Sequence, residues 1–443
     1  MHVDVAVIGL GAMGSAALWR MAARGAGVVG FERFEPGHDK GSSHGDSRII
    51  RSAYYEGPHY VPLVQSAFPL WRRLEQQSGI ALLTMTGALM IGPPDGDLVA
   101  GALRSARDHG LAHELLDGDQ MRQRYPQFHL PPGEVALFEQ QAGILRAEAA
   151  IGAMVRRAEA LGATVLRHTI VEAVEADAGA VRISAGGRSF RARHAIVSVG
   201  SWLPDLLPVL RAPLQVERQV MLWWPVRDPD LFSPQRFPVF MHEIAPGRLR
   251  YGIPSLDATT VKVGVHHEGE ATTADTIDRQ VHPRDLAPVQ RYLRAYLPDV
   301  EPVVARAGVC MYTNTPDRHF LIGTLPGLAG VTVLSVCSGH GFKYAPVVGD
   351  AAADLALEGR TSYPIDLFTP ARFAADGEDR RHLVAEPDRD AAAWRQHPTS
   401  WEEEQSERRV LTETVMDGLD PDDVWTADGD VLRSKENRSA FRA

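Results

Sequence analysis

The chain has 443 residues, of which 44% are hydrophobic and 23% charged, enough to bury a large core in two or three structural units. A formal charge of -10 leaves no basic field for nucleic acid, and no window approaches the roughly 20 apolar residues of a membrane-spanning helix. The opening Met1-His2-Val3-Asp4 enters a strand pattern at once, without the basic, apolar and small-residue regions of an export signal, so a cytoplasmic protein without nucleic-acid or membrane partners is expected.

Val3 to Ile8 is a β-branched apolar run, the pattern of a buried parallel strand, and it leads into Gly9-Leu10-Gly11-Ala12-Met13-Gly14. A helix is expected over Ser15 to Arg24, a break at Gly25 to Gly27, and a second strand from Val28 to Phe31 closed by Glu32. This is a complete βαβ unit. Strand-like runs follow at Ala163 to Leu166, Val181 to Ile183, Ala195 to Val199, Val216 to Pro225 and Val261 to His266, so the middle of the chain is richer in β structure. A last buried-strand run, Val331 to Val336, precedes Ser338-Gly339-His340-Gly341 and a helix from about Ala345 to Leu357. From Asp376 onward the composition changes to 18 acidic and 10 basic residues, which accounts for eight of the ten net negative charges. Such a tail reads as solvated or disordered. Trp394, Trp401 and Trp425 give it something to bury against its own body or a second subunit, and the expected state is a monomer or a homodimer.

In the glycine motif, Gly9 permits a tight turn, Gly11 lets the backbone approach a pyrophosphate and Gly14 allows close packing, with the helix N-terminus facing the phosphates. Glu32 closes the second strand 18 residues beyond Gly14, where its carboxylate can accept hydrogen bonds from ribose hydroxyls. Strand, helix, strand and acid in register predict a bound dinucleotide. The acid disfavours NADP and leaves NAD and FAD open.

One further stretch decides between them: Gly41-Ser42-Ser43-His44-Gly45-Asp46-Ser47-Arg48-Ile49-Ile50-Arg51, followed by Ala53-Tyr54-Tyr55-Glu56-Gly57. It resembles the monomeric sarcosine oxidase and N-methyltryptophan oxidase family, within the FAD-dependent amino-acid oxidases. Three more blocks match in order: Tyr251-Gly252 with Lys262-Val263-Gly264-Val265-His266, Cys310-Met311-Tyr312-Thr313, and Ser338-Gly339-His340-Gly341-Phe342-Lys343. The resemblance spans about residues 3 to 370 and leaves out the tail.

The resemblance implies a mixed α/β fold. A Rossmann-like FAD-binding domain would be assembled from residues 1–80, 141–212 and 308–375. A mostly antiparallel substrate domain would comprise 81–140 and 213–307, and 376–443 would form an acidic extension. For FAD it implies contacts from Gly9, Gly11, Ala12, Met13, Gly14, Glu32, Arg33, Ser42, His44, Arg48, Ile49, Val171, Gly200, Gly339, Gly341, Phe342 and Lys343. It also implies a thioether to the flavin through Cys310, where the residues alone indicate a free buried cysteine. Arg51 and Lys343 resemble a clamp for a substrate carboxylate, and Met241, Tyr312, Gly339 and His340 positions lining the substrate cavity.

Catalytic positions implied by the family are Lys262, Arg48, His266 and Tyr251. By alternation alone Lys262 would point to solvent; by resemblance it sits near the flavin and stabilises superoxide. The implied reaction is hydride transfer from the carbon beside nitrogen to flavin, imine hydrolysis, and reduction of O2 to hydrogen peroxide, for a small N-methyl or other secondary amino acid. The alternatives are a flavin dehydrogenase or biosynthetic tailoring oxidase for a cyclic or larger amino acid, and a non-catalytic flavin-binding subunit. Cys337 is expected as a small core residue inside its strand. No metal site is expected, since no pairing of histidines has ligand spacing with a matching carboxylate or thiolate, and His266 and His267 would alternate across a strand.

Overall fold

A computed structural model describes residues 2–177 and 179–373, together with a pair of two-residue strands, Val424–Trp425 and Val431–Leu432. The expectations for the acidic extension and its tryptophans lie outside the described residues.

The β-branched run forms strand β1 (His2–Ile8), which pairs in parallel with β2 (Val28–Phe31). Helix α1 (Ala12–Ala23) crosses between them and starts at Ala12, three residues earlier than its composition suggests. The early start has a physical consequence. Gly11 at the N-cap offers no side-chain acceptor, so the first amides of the helix are left for a ligand.

Outward from β1 and β2, the parallel sheet continues through Thr164–Leu166 on one side. On the other side come Arg188–Val197 and Val331–Ser335, with Leu321–Thr324 antiparallel at the edge. A hairpin, Val171–Asp177 with Ala180–Ala185, extends the first half of Arg188–Val197. Segments more than 300 residues apart in sequence therefore share one sheet. Helices Val61–Ser78, Ala147–Ala160 and Ala345–Glu358 join α1 in a core that includes Trp19, Trp71, Leu18 and Tyr344. Arg20 and Arg24 bind Asp350 at 2.7 and 2.6 Å, and Arg24 binds Asp354 at 2.6 Å, which ties the first helix to the last.

The second sheet has nine strands. Its centre runs Gln215–Pro225, Thr260–His266, Arg248–Ile253, Val239–Ala245, all antiparallel, and then Ala88–Gly92 in parallel. Arg306–Asn314 lies along the other side of Gln215–Pro225. On one face Val261 and Val263 pack beneath helix Pro283–Tyr296 against Tyr292 and Leu293. The alternation therefore places Lys262 and His266 on the other face, which is buried rather than solvated; the two side chains are 3% and 5% exposed. A strand reads as half-exposed from its own residues alone, and here a second body covers that half.

Two smaller expectations are overturned. Cys337 lies two residues past the end of Val331–Ser335 and is a loop residue, its sulfur accepting a hydrogen bond from the Thr313 amide at 3.3 Å. His266 ends its strand and His267 takes φ +63°, so their rings lie 4.4 Å apart instead of on opposite faces. Among the described residues no group of three or more His, Cys, Asp or Glu could hold a metal ion, and no helix is long and apolar enough to cross a membrane.

The glycine turn is set by contact. A β-carbon on Gly14 would lie 1.8 Å from the Gly9 carbonyl oxygen, and Gly9 itself has φ +85°. Gly14→Ala must push the turn away from the helix and should destabilise the protein by about 1–3 kcal/mol, the cost of overpacking a tight contact. Urea denaturation of the apoprotein measures it; an unchanged midpoint would show that the turn yields freely.

Candidate functional site

An elongated cavity of about 440 Å³ runs from the glycine turn, across the ends of the parallel strands, to the inner face of the second sheet. Its size is that of a ligand pocket. At the first end lie Gly9, Gly11, Ala12 and Met13, with Gly200 from the loop after Arg188–Val197 and Val171 from the hairpin. Glu32, 4% exposed, accepts from the Leu10 amide at 2.8 Å with one oxygen and from the Phe34 amide at 2.9 Å with the other. Each oxygen keeps a lone pair free for a hydroxyl in the cavity. Arg33 stands at the mouth, 3.3 Å from Asp275, which also accepts from the Trp202 indole at 2.8 Å.

The middle of the cavity is positive. Arg48 donates to the carbonyls of Ser42, His44 and Ser47 at 2.7 to 2.8 Å. Lys262 donates to those of Gly45 at 2.9 Å and Ser47 at 3.2 Å. Neither has an ion-pair partner among the described residues, so both charges act on what lies beside them. Burial holds the Lys262 ammonium well below its ordinary pKa, and Arg48 adds to the effect. Cys310, on Arg306–Asn314, is free and 4% exposed. Burial pushes its thiol pKa up, while Arg48 and Lys262 pull it back. Ser42 and Ile49 also line this part.

At the far end Arg51, 2% exposed, binds both oxygens of Glu56 at 2.6 Å, with its guanidinium 4.2 Å above the Tyr54 ring. Lys343 donates to the His340 carbonyl at 2.6 Å and to the Tyr54 hydroxyl at 3.2 Å. The direction of this chain follows from its last member. The Arg318 carbonyl can only accept, so Nε2 of His340 carries the proton, Nδ1 accepts from Tyr54 at 2.7 Å, and the Tyr54 oxygen receives Lys343. Burial first, then Arg51, bring the Lys343 pKa down to about 7. Beneath the pair, Glu139 accepts from the amides of Ser52 and Ala53, and burial raises its pKa to about 7. Met241, Tyr251, Tyr312, Gly339, Gly341 and Phe342 complete the walls. His266 meets the Tyr312 hydroxyl at 3.3 Å through Nδ1, burial pushes its pKa well down, and its Nε2 is buried without a partner.

The residues singled out in the sequence thus converge on one cavity, with two exceptions. Gly14 lies beneath the turn and does not line the cavity, and neither does His44, which is buried and whose carbonyl holds Arg48. Residues passed over include Met221, whose inward position follows from alternation in Gln215–Pro225, and Glu56, the one acid in an aromatic segment. Glu139 carried no local signal, and Tyr54 stands in the Ala53 to Gly57 block without a role of its own.

The cavity fits a dinucleotide carrying a ring system at its cationic end: a glycine cradle, uncapped helix amides, a ribose-binding acid, then unpaired cations. The chain belongs to the FAD dependent oxidoreductase (DAO) family, whose model matches residues 4–355. More narrowly, it is 42% identical over 376 residues to the monomeric sarcosine oxidase of Streptomyces avermitilis, spanning 84% of this chain and 98% of that protein. It is 35% identical to the N-methyl-L-tryptophan oxidase of Salmonella heidelberg, over 84% of this chain and all of the relative. The fold matches the solved structure of NikD, an unusual amino acid oxidase essential for nikkomycin biosynthesis, with a TM-score of 0.74 at 24% identity over 83% of this chain and 97% of that one. The chain is an FAD-dependent oxidase related to sarcosine oxidase and N-methyltryptophan oxidase.

A small carboxylate bound beside Lys343 should restore its proton, because an anion favours the ammonium. Arg51, Glu56 and Glu139 are the other charged groups facing it. Acetate binding at pH 8, measured calorimetrically in buffers of different ionisation enthalpy, should take up protons, and Lys343→Met should lose most of that uptake. Binding without proton uptake would mean that the ammonium is already charged at pH 8.

Proposed function

We propose that this oxidase acts on the C–N bond of a small amino acid, N-methylated or otherwise secondary, whose carboxylate lies between Arg51 and Lys343. The observation that carries the reading is the pair of buried cations at the end of the cavity opposite the nucleotide turn. Residues 1–80, 141–212 and 308–375 would hold FAD and residues 81–140 and 213–307 would cover the substrate. Arg306–Asn314 pairs with Gln215–Pro225 of the second sheet and so forms the seam between the two.

FAD, when bound, supplies a hydride acceptor and passes the electrons on to dioxygen. The side chains do the rest. Arg51 exchanges part of its bond to Glu56 for the substrate carboxylate, and Lys343 contributes a second charged hydrogen bond. His266, kept neutral by burial and with Nε2 unpartnered, takes a proton from the substrate ammonium onto Nε2, since loss of hydride from carbon requires a neutral amine. Tyr251, Tyr312 and Met241 hold that carbon and exclude water. The substrate is left as an imine, which water hydrolyses; an N-methyl substrate would give formaldehyde and the free amino acid. Lys262 and Arg48 supply positive charge where dioxygen is reduced, and hydrogen peroxide leaves.

Burial raises the pKa of the Cys310 thiol while Arg48 and Lys262 beside it work in the other direction, and on its place in the cavity next to those two cations we assign it the thioether to FAD. Protein precipitated with acid should remain yellow and Cys310→Ala should release the colour to the supernatant; a colourless wild-type pellet would remove the linkage. Peroxide release across N-methyl, cyclic and primary amino acids, and across amines lacking the carboxylate, tests the reaction. Carboxylate-bearing compounds alone should be oxidised, and Arg51→Ala should weaken carboxylate binding roughly tenfold or more, the worth of a charged hydrogen bond. Equal turnover of the carboxylate-free amines would overturn the reading.

A further inference from the structure

We propose that dioxygen reaches Lys262 through a second cavity, which among the described residues meets the cofactor cavity only at Ser47 and Lys262; the inference rests on the oxygen-handling role given to Lys262 above. This second space, of about 510 Å³, is bounded by Asp46, Arg146, Glu148, Ala149, Trp223 and Arg306, among others. Ser47 and Lys262 are the residues that line both cavities, and they are 1% and 3% exposed. The Lys262 side chain is therefore the partition between them.

The two sides of that partition differ. The walls of the first cavity include the buried Met221, Ile253 and Cys310. On the other side the lining reaches the surface at residues that include Arg306 and Asp46, an ion pair whose side chains are 52% and 45% exposed. An exposed pair is held weakly and rearranges fast, so it does not seal the rim. Between rim and partition lies Trp223, 6% exposed, with the Arg306 guanidinium 3.9 Å and the Lys262 nitrogen 4.9 Å from its ring centroid. In its protonated form Lys262 is an ammonium with three donors. Two of those on Lys262 are taken by Gly45 and Ser47, which leaves the third for a small acceptor at the junction.

The first cavity cannot serve the same purpose while it is occupied. With FAD along it and a carboxylate at Arg51 and Lys343, its length is filled, and dioxygen entering that way would wait for the product to leave. A lateral entrance removes the wait. At the junction dioxygen gains two electrons from the reduced cofactor and two protons, and departs as hydrogen peroxide.

The test is to fill the second cavity without touching the partition. Ala149 stands on helix Ala147–Ala160 facing this space, and Ala149→Trp should slow reoxidation of the reduced holoenzyme by dissolved oxygen about tenfold, equivalent to about 1.4 kcal/mol on the barrier. The anaerobic rate of cofactor reduction by substrate should be unchanged. Lys262→Met serves as the control. If it leaves reoxidation unaffected, the role of Lys262 itself is wrong. If it slows reoxidation while Ala149→Trp does not, the entrance is wrong and the role of Lys262 stands.

Cyanate supplies a readout independent of turnover. In holoenzyme the cofactor side is occupied, so carbamylation of Lys262, read by peptide mass spectrometry, reports access from the second cavity. Labelling should occur in the wild type and fall in Ala149→Trp. Unlabelled wild type, or equal labelling of both, overturns the proposal. Leu256→Phe, on the opposite wall, is the substitute should the tryptophan variant fail to fold.

Discussion

Buried positive charge is the constraint that the rest of the molecule answers to. Arg51, Lys262 and Lys343 are each less than 5% exposed, and Arg48 borders the same cavity. Among the described residues only Arg51 has a carboxylate at ion-pair distance. The others are held by carbonyl oxygens from the loop between Ser42 and Ser47 and from His340, which satisfy the donors without cancelling the charge. A neutral dipole is the right partner where a positive field must persist, because a carboxylate would quench it. The loop between β2 and Ser47–Ile50 is therefore a liner of oxygen atoms rather than a connector.

The treatment of Arg51 differs for a related reason. A guanidinium that must later meet a substrate anion would be costly to leave bare in an unliganded cavity, and Glu56 compensates it in the meantime. Lys343 is managed by titration, since burial brings its pKa to about 7 and the group can shed its charge when no anion is near. Two neighbouring cations thus reach the same end, a cavity tolerable when empty and attractive to an anion, by different physics.

The first βαβ unit was legible because all its signals are local: apolar run, glycine turn, helix, second strand and acid lie within 32 residues. The parallel strands at Arg188–Val197 and Val331–Ser335 were legible for the same reason, as buried strands carry continuous apolar runs. Where a single segment read by itself falls short, the missing information lies in another part of the chain. Lys262 would be an exposed lysine if its sheet had a wet face, and nothing within Thr260–His266 says that the face is covered. Cys337 read as core because the apolar run extends to Val336, whereas the strand ends at Ser335 and the thiol serves the Thr313 amide. Tyr54 and Glu139 are likewise defined by partners 86 to 289 residues away, as their hydrogen bonds to Ala53 and Lys343 record. The cavity lining from Arg48 to Lys343 was found through ordered resemblance of several blocks, which carries long-range information that a single segment lacks.

The bonds from Arg20 and Arg24 to Asp350 and Asp354 bear on how the protein is made. The glycine turn is synthesised well before the helix that braces its own helix, which lies 330 residues later. At about 5–20 residues per second the interval is roughly 15–65 s. Throughout that time the start of the chain has its nucleotide cradle but not the helix packed behind it. Assembly of the cofactor unit is consequently among the last events of folding, and truncation anywhere before Glu358 deprives the earliest-made segment of its support.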